Sequence, residues 1–183
     1  MSHPNESYLS FNALTRFKKT DGSYHFDSDA IAVERYLDEQ ISPNLMMFPS
    51  LEEKLAYLIK EGYYEQAIFD LYPDDVIKEA FQYAYQQDYR FLNLMGAMNF
   101  YHSYAVKTLD GKYYLETVED RVVMNALFLA NGDQTLLFNL IKDMLHRRFQ
   151  PATPTFLNAG KKRRGEYISC YLLRIEDNME SIS

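Results

Sequence analysis

Apolar residues recur at helical spacing along most of the chain, and residues suited to caps and turns punctuate them. Residues 1–26 are mixed and hold a turn signal at Thr20-Asp21-Gly22-Ser23. Ile31, Val33, Tyr36 and Leu37 place a helix over 27–40, capped by Asp27 or Ser28 and ended by Ser42-Pro43-Asn44. Ser50-Leu51-Glu52-Glu53 has the form of a capping box, in which serine oxygen and glutamate satisfy free amide donors reciprocally. Leu51, Leu55, Leu58 and Ile59 then share one face as far as Glu61-Gly62, and a short helix is expected over 64–71. Pro73 suits a first helical turn, where its missing N–H costs nothing, and Asp74 and Asp75 complement the helix dipole. Val76, Ile77, Ala80, Phe81, Ala84 and Tyr85 form a broad apolar face behind them.

Over 94–107 the pattern changes. Met95, Met98, Phe100, Tyr101, Tyr104 and Val106, with Gly96 among them, suggest extended or irregular backbone. Asp110-Gly111 is a hairpin signal between 104–107 and 113–115. Thr117 caps the next helix, with Asp120 three residues on; Val118, Val122, Val123, Ala126 and Leu127 face inward, and Asn131-Gly132 ends it. Asp133 caps another, whose Leu136, Leu137, Leu140, Ile141, Met144 and Leu145 give the cleanest amphipathic pattern in the chain. Arg147 and Arg148 suit its C-terminal end. Pro151 and Pro154 bar continuation, leaving Thr153-Pro154-Thr155 as a hydroxyl-rich loop. The short apolar run 167–173 then reads as a buried strand, followed by the polar turn Glu176-Asp177-Asn178. The fold class is mainly α, leading into a strand.

Composition fits packed protein: 47% of residues are hydrophobic, and only seven Gly and six Pro occur among 183. No run approaches a membrane span, and the polar start MSHPNESYLS shows no signal peptide. A single cysteine excludes an internal disulfide framework and suits a reducing cytoplasm. His3, His25, His102 and His146 are scattered, so no metal site is expected. The net charge of −7 hides an asymmetry, since residues 142–174 carry eight basic and two acidic groups. The run Lys161 to Arg164 lies near Thr153, Ser169 and Cys170, and a cationic field beside hydroxyl donors suits a phosphorylated ligand; a solvated loop would look the same. The acidic remainder argues against nucleic acid.

Cys170 is either a small core hydrophobe, the usual fate of a lone cysteine, or a working thiol. Its surroundings carry a resemblance. PATPTFLNAG followed by GEYISCYLLRIEDNMESI, with YHSYAVKT and ETVEDRVVMNALFLANGD upstream, is similar to the large, catalytic subunit of ribonucleotide reductase, class Ib in particular, near its N-terminus. The resemblance implies a helical lobe over 1–90, a helical region over 91–165, and over 166–183 the first strand of a ten-stranded α/β barrel. It implies radical-based reduction of a nucleoside diphosphate to its deoxy form. Cys170 matches the family's first active-site cysteine, which reduces substrate and ends in a disulfide. Thr153 and Ser169 match residues touching the nucleoside diphosphate, and Asp177 matches the acidic residue that holds a nucleoside triphosphate effector.

The implied partners are a second large subunit, a smaller radical-generating subunit with a dimetal-tyrosyl cofactor, and a dithiol reductant protein. Neither nucleic acid nor membrane is among them. A thiol suits the chemistry because a second thiol traps the oxidised product as a disulfide. That second thiol and the radical-bearing cysteine are not among these residues, so the chain alone is expected to be inactive. No complete regulatory ATP-binding cone precedes Thr117, which fits class Ib. The rival reading is a non-catalytic helical binding or assembly module.

Overall fold

The computed structural model describes residues 28–170. Helix α1 (Ser28–Tyr36) runs into a π-turn, Leu37–Ile41, and a 3-10 turn, Ser42–Asn44, where Pro43 stops it. Helix α2 (Leu51–Lys60) starts at Ser50, whose Oγ accepts from Glu53 N at 3.2 Å; the Glu53 carboxylate does not return the bond, so half of the expected box forms. Helix α3 (Gln66–Phe69) is shorter than the apolar pattern suggests. Pro73 is the N-cap of α4 (Asp74–Tyr85) rather than its first helical residue, and Ile77, Ala80, Phe81 and Ala84 are buried.

Within 94–107 only residues 105–107 keep the irregular or extended backbone expected; residues 94–104 do not. They form α5 (Leu94–Asn99) and a π-turn, Phe100–Tyr104. Leu94, Ala97, Phe100 and Tyr101 are buried at helical spacing, and aromatic burial outweighs local preference. Gly96 marked no break: Asn93 Oδ1 caps Gly96 N at 2.7 Å, and a Cβ at Gly96 would sit 3.3 Å from that oxygen. The hairpin signal yields one antiparallel bridge, Lys107 with Tyr114, around Gly111 at φ +72°.

Helix α6 (Val118–Ala130) is the axis of the fold. It packs on α4, α7 (Gln134–Leu145) and α8 (Thr153–Asn158), and it ends at Asn131 as expected, with that residue left-handed at φ 45°. Asp133 caps α7 through Leu136 N. The hydroxyl-rich loop is instead the first turn of α8, because Pro154 there needs no N–H partner. Among the described residues there are isolated bridges and no strand. Residues 167–170 are not the buried strand expected; Ile168 is 56% exposed, and no neighbouring strand among the described residues offers a ladder. The part described is mainly helical, and none of its helices is long and apolar enough to cross a membrane.

Candidate functional site

Helix α6 is buried almost all round, so its polar residues lie inside the protein. Thr117 and Asp120 close a reciprocal capping box. The wholly buried Asp120 also accepts from Lys54 Nζ and from the Tyr85 hydroxyl, each at 2.6 Å. Glu116, just before the cap, is equally buried. It accepts from the Tyr64 hydroxyl at 2.7 Å and Val106 N at 2.9 Å, and faces Arg121 Nη1 at 3.3 Å. Burial, reinforced by Glu116, holds the Tyr64 phenol far above its ordinary range; burial and then Asp120 do the same at Tyr85. Both phenols therefore remain donors to carboxylates.

One turn further along, α6 grips the segment that follows α7. Arg121 Nη2 donates to the Ala159 carbonyl, and Asn125 Nδ2 donates to the Phe156 carbonyl at 3.1 Å. The chain lies so close that a Cβ at Gly160, whose φ is +77°, would stand 2.5 Å from Met124 Cε. Glu65 N then donates to the Gly160 carbonyl at 2.9 Å, and Lys162 N to the Tyr63 carbonyl at 3.1 Å. These bonds set where the chain leaves α8 for Cys170.

The basic run is not a uniform cationic surface. Lys161 turns inward, donating to the Tyr104 carbonyl at 3.1 Å. Burial lowers its pKa to about 8, against the opposing pull of Glu116. Arg164 lies 3.9 Å from Glu65 and over the Tyr167 ring, which stacks on Phe128. Lys162 and Arg163 remain exposed.

Thr153 is the first residue of α8 and lines a cleft of about 360 Å³ with Asn93, Arg147, Gln150 and Phe156. Arg147 donates to the Arg90 carbonyl and covers the Tyr89 ring at 4.9 Å. Ser169 and Cys170 are exposed and do not line this cleft, so it gathers only Thr153 of the expected trio. An exposed Cys170 does not fill a core position. Asp177 lies outside the described residues. Glu116, Arg121, Asn125 and Asn158 escaped the sequence reading. The one signal for Glu116, Arg121 and Asn125 was polar residues at helical spacing beside Asp120, which resembles an ordinary wet helix face; Asn158 carried no such signal.

Two family models cover most of the chain: "Ribonucleotide reductase N-terminal" over residues 8–89 and "Ribonucleotide reductase, all-alpha domain" over 90–164. The chain is 52% identical over 177 residues to the ribonucleoside-diphosphate reductase subunit alpha of Mycoplasma pneumoniae, covering 97% of this chain and 24% of that protein. The subunit alpha of Mycoplasma genitalium is likewise 52% identical over the same shares. That of Bacillus subtilis is 46% identical over 163 residues, 89% of this chain and 23% of the relative. The chain thus spans about a quarter of the length of these relatives. The helical fold, the two domain matches and these identities agree: the chain belongs to the ribonucleotide reductase family and matches the N-terminal part of the class Ib large, alpha subunit.

Proposed function

We propose that this chain serves as the N-terminal part of a ribonucleoside-diphosphate reductase large subunit, which converts ribonucleoside diphosphates to deoxyribonucleoside diphosphates for DNA synthesis. The observation that carries this is 52% identity across 97% of the chain to relatives named for that activity. The same names favour an enzyme over a helical assembly module.

In this reading residues 1–90 and 91–165 are the helical lobe and helical region, and 166–183 begin the α/β barrel. Run 167–173 becomes a strand only where further barrel strands supply its ladder partners. Cys170 is one of two thiols that together give two electrons and two protons. The ribose 2′-hydroxyl leaves as water, a C–H bond replaces the C–O bond, and the thiols become a disulfide. An external dithiol protein then reduces that disulfide by exchange. Thr153 and Ser169 contact the nucleoside diphosphate; Ser169 alternates with Cys170 in an extended run, so its backbone amide is the contacting group unless a bulge turns its side chain. Asp177 bonds a nucleoside triphosphate effector near a second large subunit. The starting radical comes from the dimetal-tyrosyl cofactor of a smaller subunit, and no residue of this chain is assigned to that cofactor. The setting is the cytoplasm.

The test uses the complete subunit containing this chain, mixed with the radical-generating subunit, a nucleoside diphosphate, an effector and a dithiol. Deoxynucleotide is expected. Its absence, with both subunits folded and the radical present, overturns the proposal.

A further inference from the structure

Asn158 ends α8 and is 8% exposed. Its carboxamide grips the backbone seven and eight residues on: Oδ1 accepts from Gly165 N at 3.0 Å, and Nδ2 donates to the Glu166 carbonyl at 3.1 Å. A primary amide presents donor and acceptor side by side, so it fixes both the distance and the direction of the chain it holds. No apolar side chain of similar size offers either bond.

The position of this clasp gives it consequence. At the near end of α8 stands Thr153. Helix α8 is itself fixed to α6 through Asn125 at the Phe156 carbonyl and Arg121 at the Ala159 carbonyl. Beyond Glu166 the chain runs through Tyr167, stacked on Phe128 of α6, to Ser169 and Cys170. Among the described residues, run 166–170 forms no helix or strand, and this pair of bonds holds its start beside the Tyr167 stack on Phe128. Among the described residues, Asn158 is the one side chain whose hydrogen bonds join the helix that carries Thr153 to the stretch that leads to Ser169 and Cys170.

We infer that Asn158 is a positioning residue that sets the register between Thr153 and the Ser169–Cys170 stretch, and so the fit of the nucleoside diphosphate between them. This rests on the reductase reading proposed above. Asn158 touches neither substrate nor thiol; it acts through the backbone at Gly165 and Glu166. Displacing a reacting group by about 1 Å costs on the order of a hundredfold in rate.

The experiment compares the unmodified complete subunit with Asn158→Ala and Asn158→Asp. Asn158→Ala loses both bonds; Asn158→Asp keeps an acceptor for Gly165 N and loses the donor to Glu166. For Asn158→Ala, kcat/KM for the nucleoside diphosphate should fall at least tenfold, with KM raised. Effector affinity should stay within twofold, and melting within a few degrees. Asn158→Asp should fall between the two. In parallel, the Gly165 amide should exchange at least tenfold faster in Asn158→Ala and stay protected in Asn158→Asp.

Unchanged kcat/KM in an active subunit overturns the inference, and so does a loss no greater than the unfolded fraction explains. Should Asn158→Ala fail to fold, Asn158→Asp decides: activity equal to the unmodified subunit overturns the positioning role. An unmodified subunit that makes no deoxynucleotide overturns the reductase reading instead, and the Gly165 exchange rates still report whether the clasp exists.

Discussion

Glu116→Gln removes one charge from the interior of the helical unit and almost no volume. In the native protein Glu116 and Arg121 are both wholly buried, 3.3 Å apart. Arg121 Nη2 is bonded to the Ala159 carbonyl, but Nε and Nη1 have no hydrogen-bond partner among the described residues, so Glu116 is the main compensation for that cation. Breaking a buried pair by removing one partner costs about 3–5 kcal/mol, because the remaining charge is stranded. The Tyr64 hydroxyl and Val106 N, which Glu116 accepts at 2.7 and 2.9 Å, compete for the single oxygen of the amide. For a chain of 183 residues each kcal/mol moves the melting temperature by roughly 2–4 °C, so a fall of roughly 6–20 °C is expected. The assay is urea unfolding of the chain, followed by circular dichroism, for Glu116→Gln, Arg121→Met and the double variant. The double variant should be more stable than the sum of the two single losses, since it strands no charge. A Glu116→Gln loss below about 1 kcal/mol, or strictly additive losses, would refute the view that this pair is balanced inside the protein.

Gly160→Ala should cost about 1–3 kcal/mol, since the residue is left-handed at φ +77° and its new methyl meets Met124 Cε; a melting temperature unchanged within 1 °C would contradict the close approach. Lys161 titrates near 8 in the folded protein against the ordinary 10.5, so the cost of its buried charge is full below pH 8. Between pH 8 and 10 the unfolded chain keeps the proton that the folded chain has lost, and stability should rise by at most about 2 kcal/mol. Lys161→Met should flatten that slope, as measured by unfolding at stepped pH; equal slopes in both proteins would place the ammonium in water. Above pH 10 the buried tyrosines oppose the trend, because their folded pKa values are raised, that of Tyr36 to about 12 by burial.

Helices with one apolar face and a good cap were legible in the sequence: α2, α4, α6 and α7 start within a residue of where Ser50, Pro73, Thr117 and Asp133 put them. Element type failed where packing overrides local preference. The aromatic residues over 94–104 favour strand when taken singly, yet the stretch winds helically to bury Phe100 and Tyr101 against the core. Two prolines near Thr153 looked like a helix barrier, although Pro154 is tolerated in a first turn. The polar interior was hidden for a different reason. Asp120 reads as the partner of the Thr117 cap and is one, but nothing in a single sequence says that Glu116, Arg121 and Asn125 face inward, because that follows from α4, α7 and α8 enclosing α6. Thr153, Ser169 and Cys170 stood out through their family motif, and the geometry alone would have drawn attention to Asn158 first.

The most direct measurement of the account is multiple-turnover reduction by the complete subunit carrying Cys170→Ser. The exposed position of Cys170 predicts that serine is accommodated without a core defect, so melting should stay near that of the unmodified protein and effector binding should be retained. Without the thiol the disulfide cannot form, so no deoxynucleotide should accumulate when the dithiol protein is the reductant. A variant that melts normally and continues to turn over removes Cys170 from the reaction and contradicts the account.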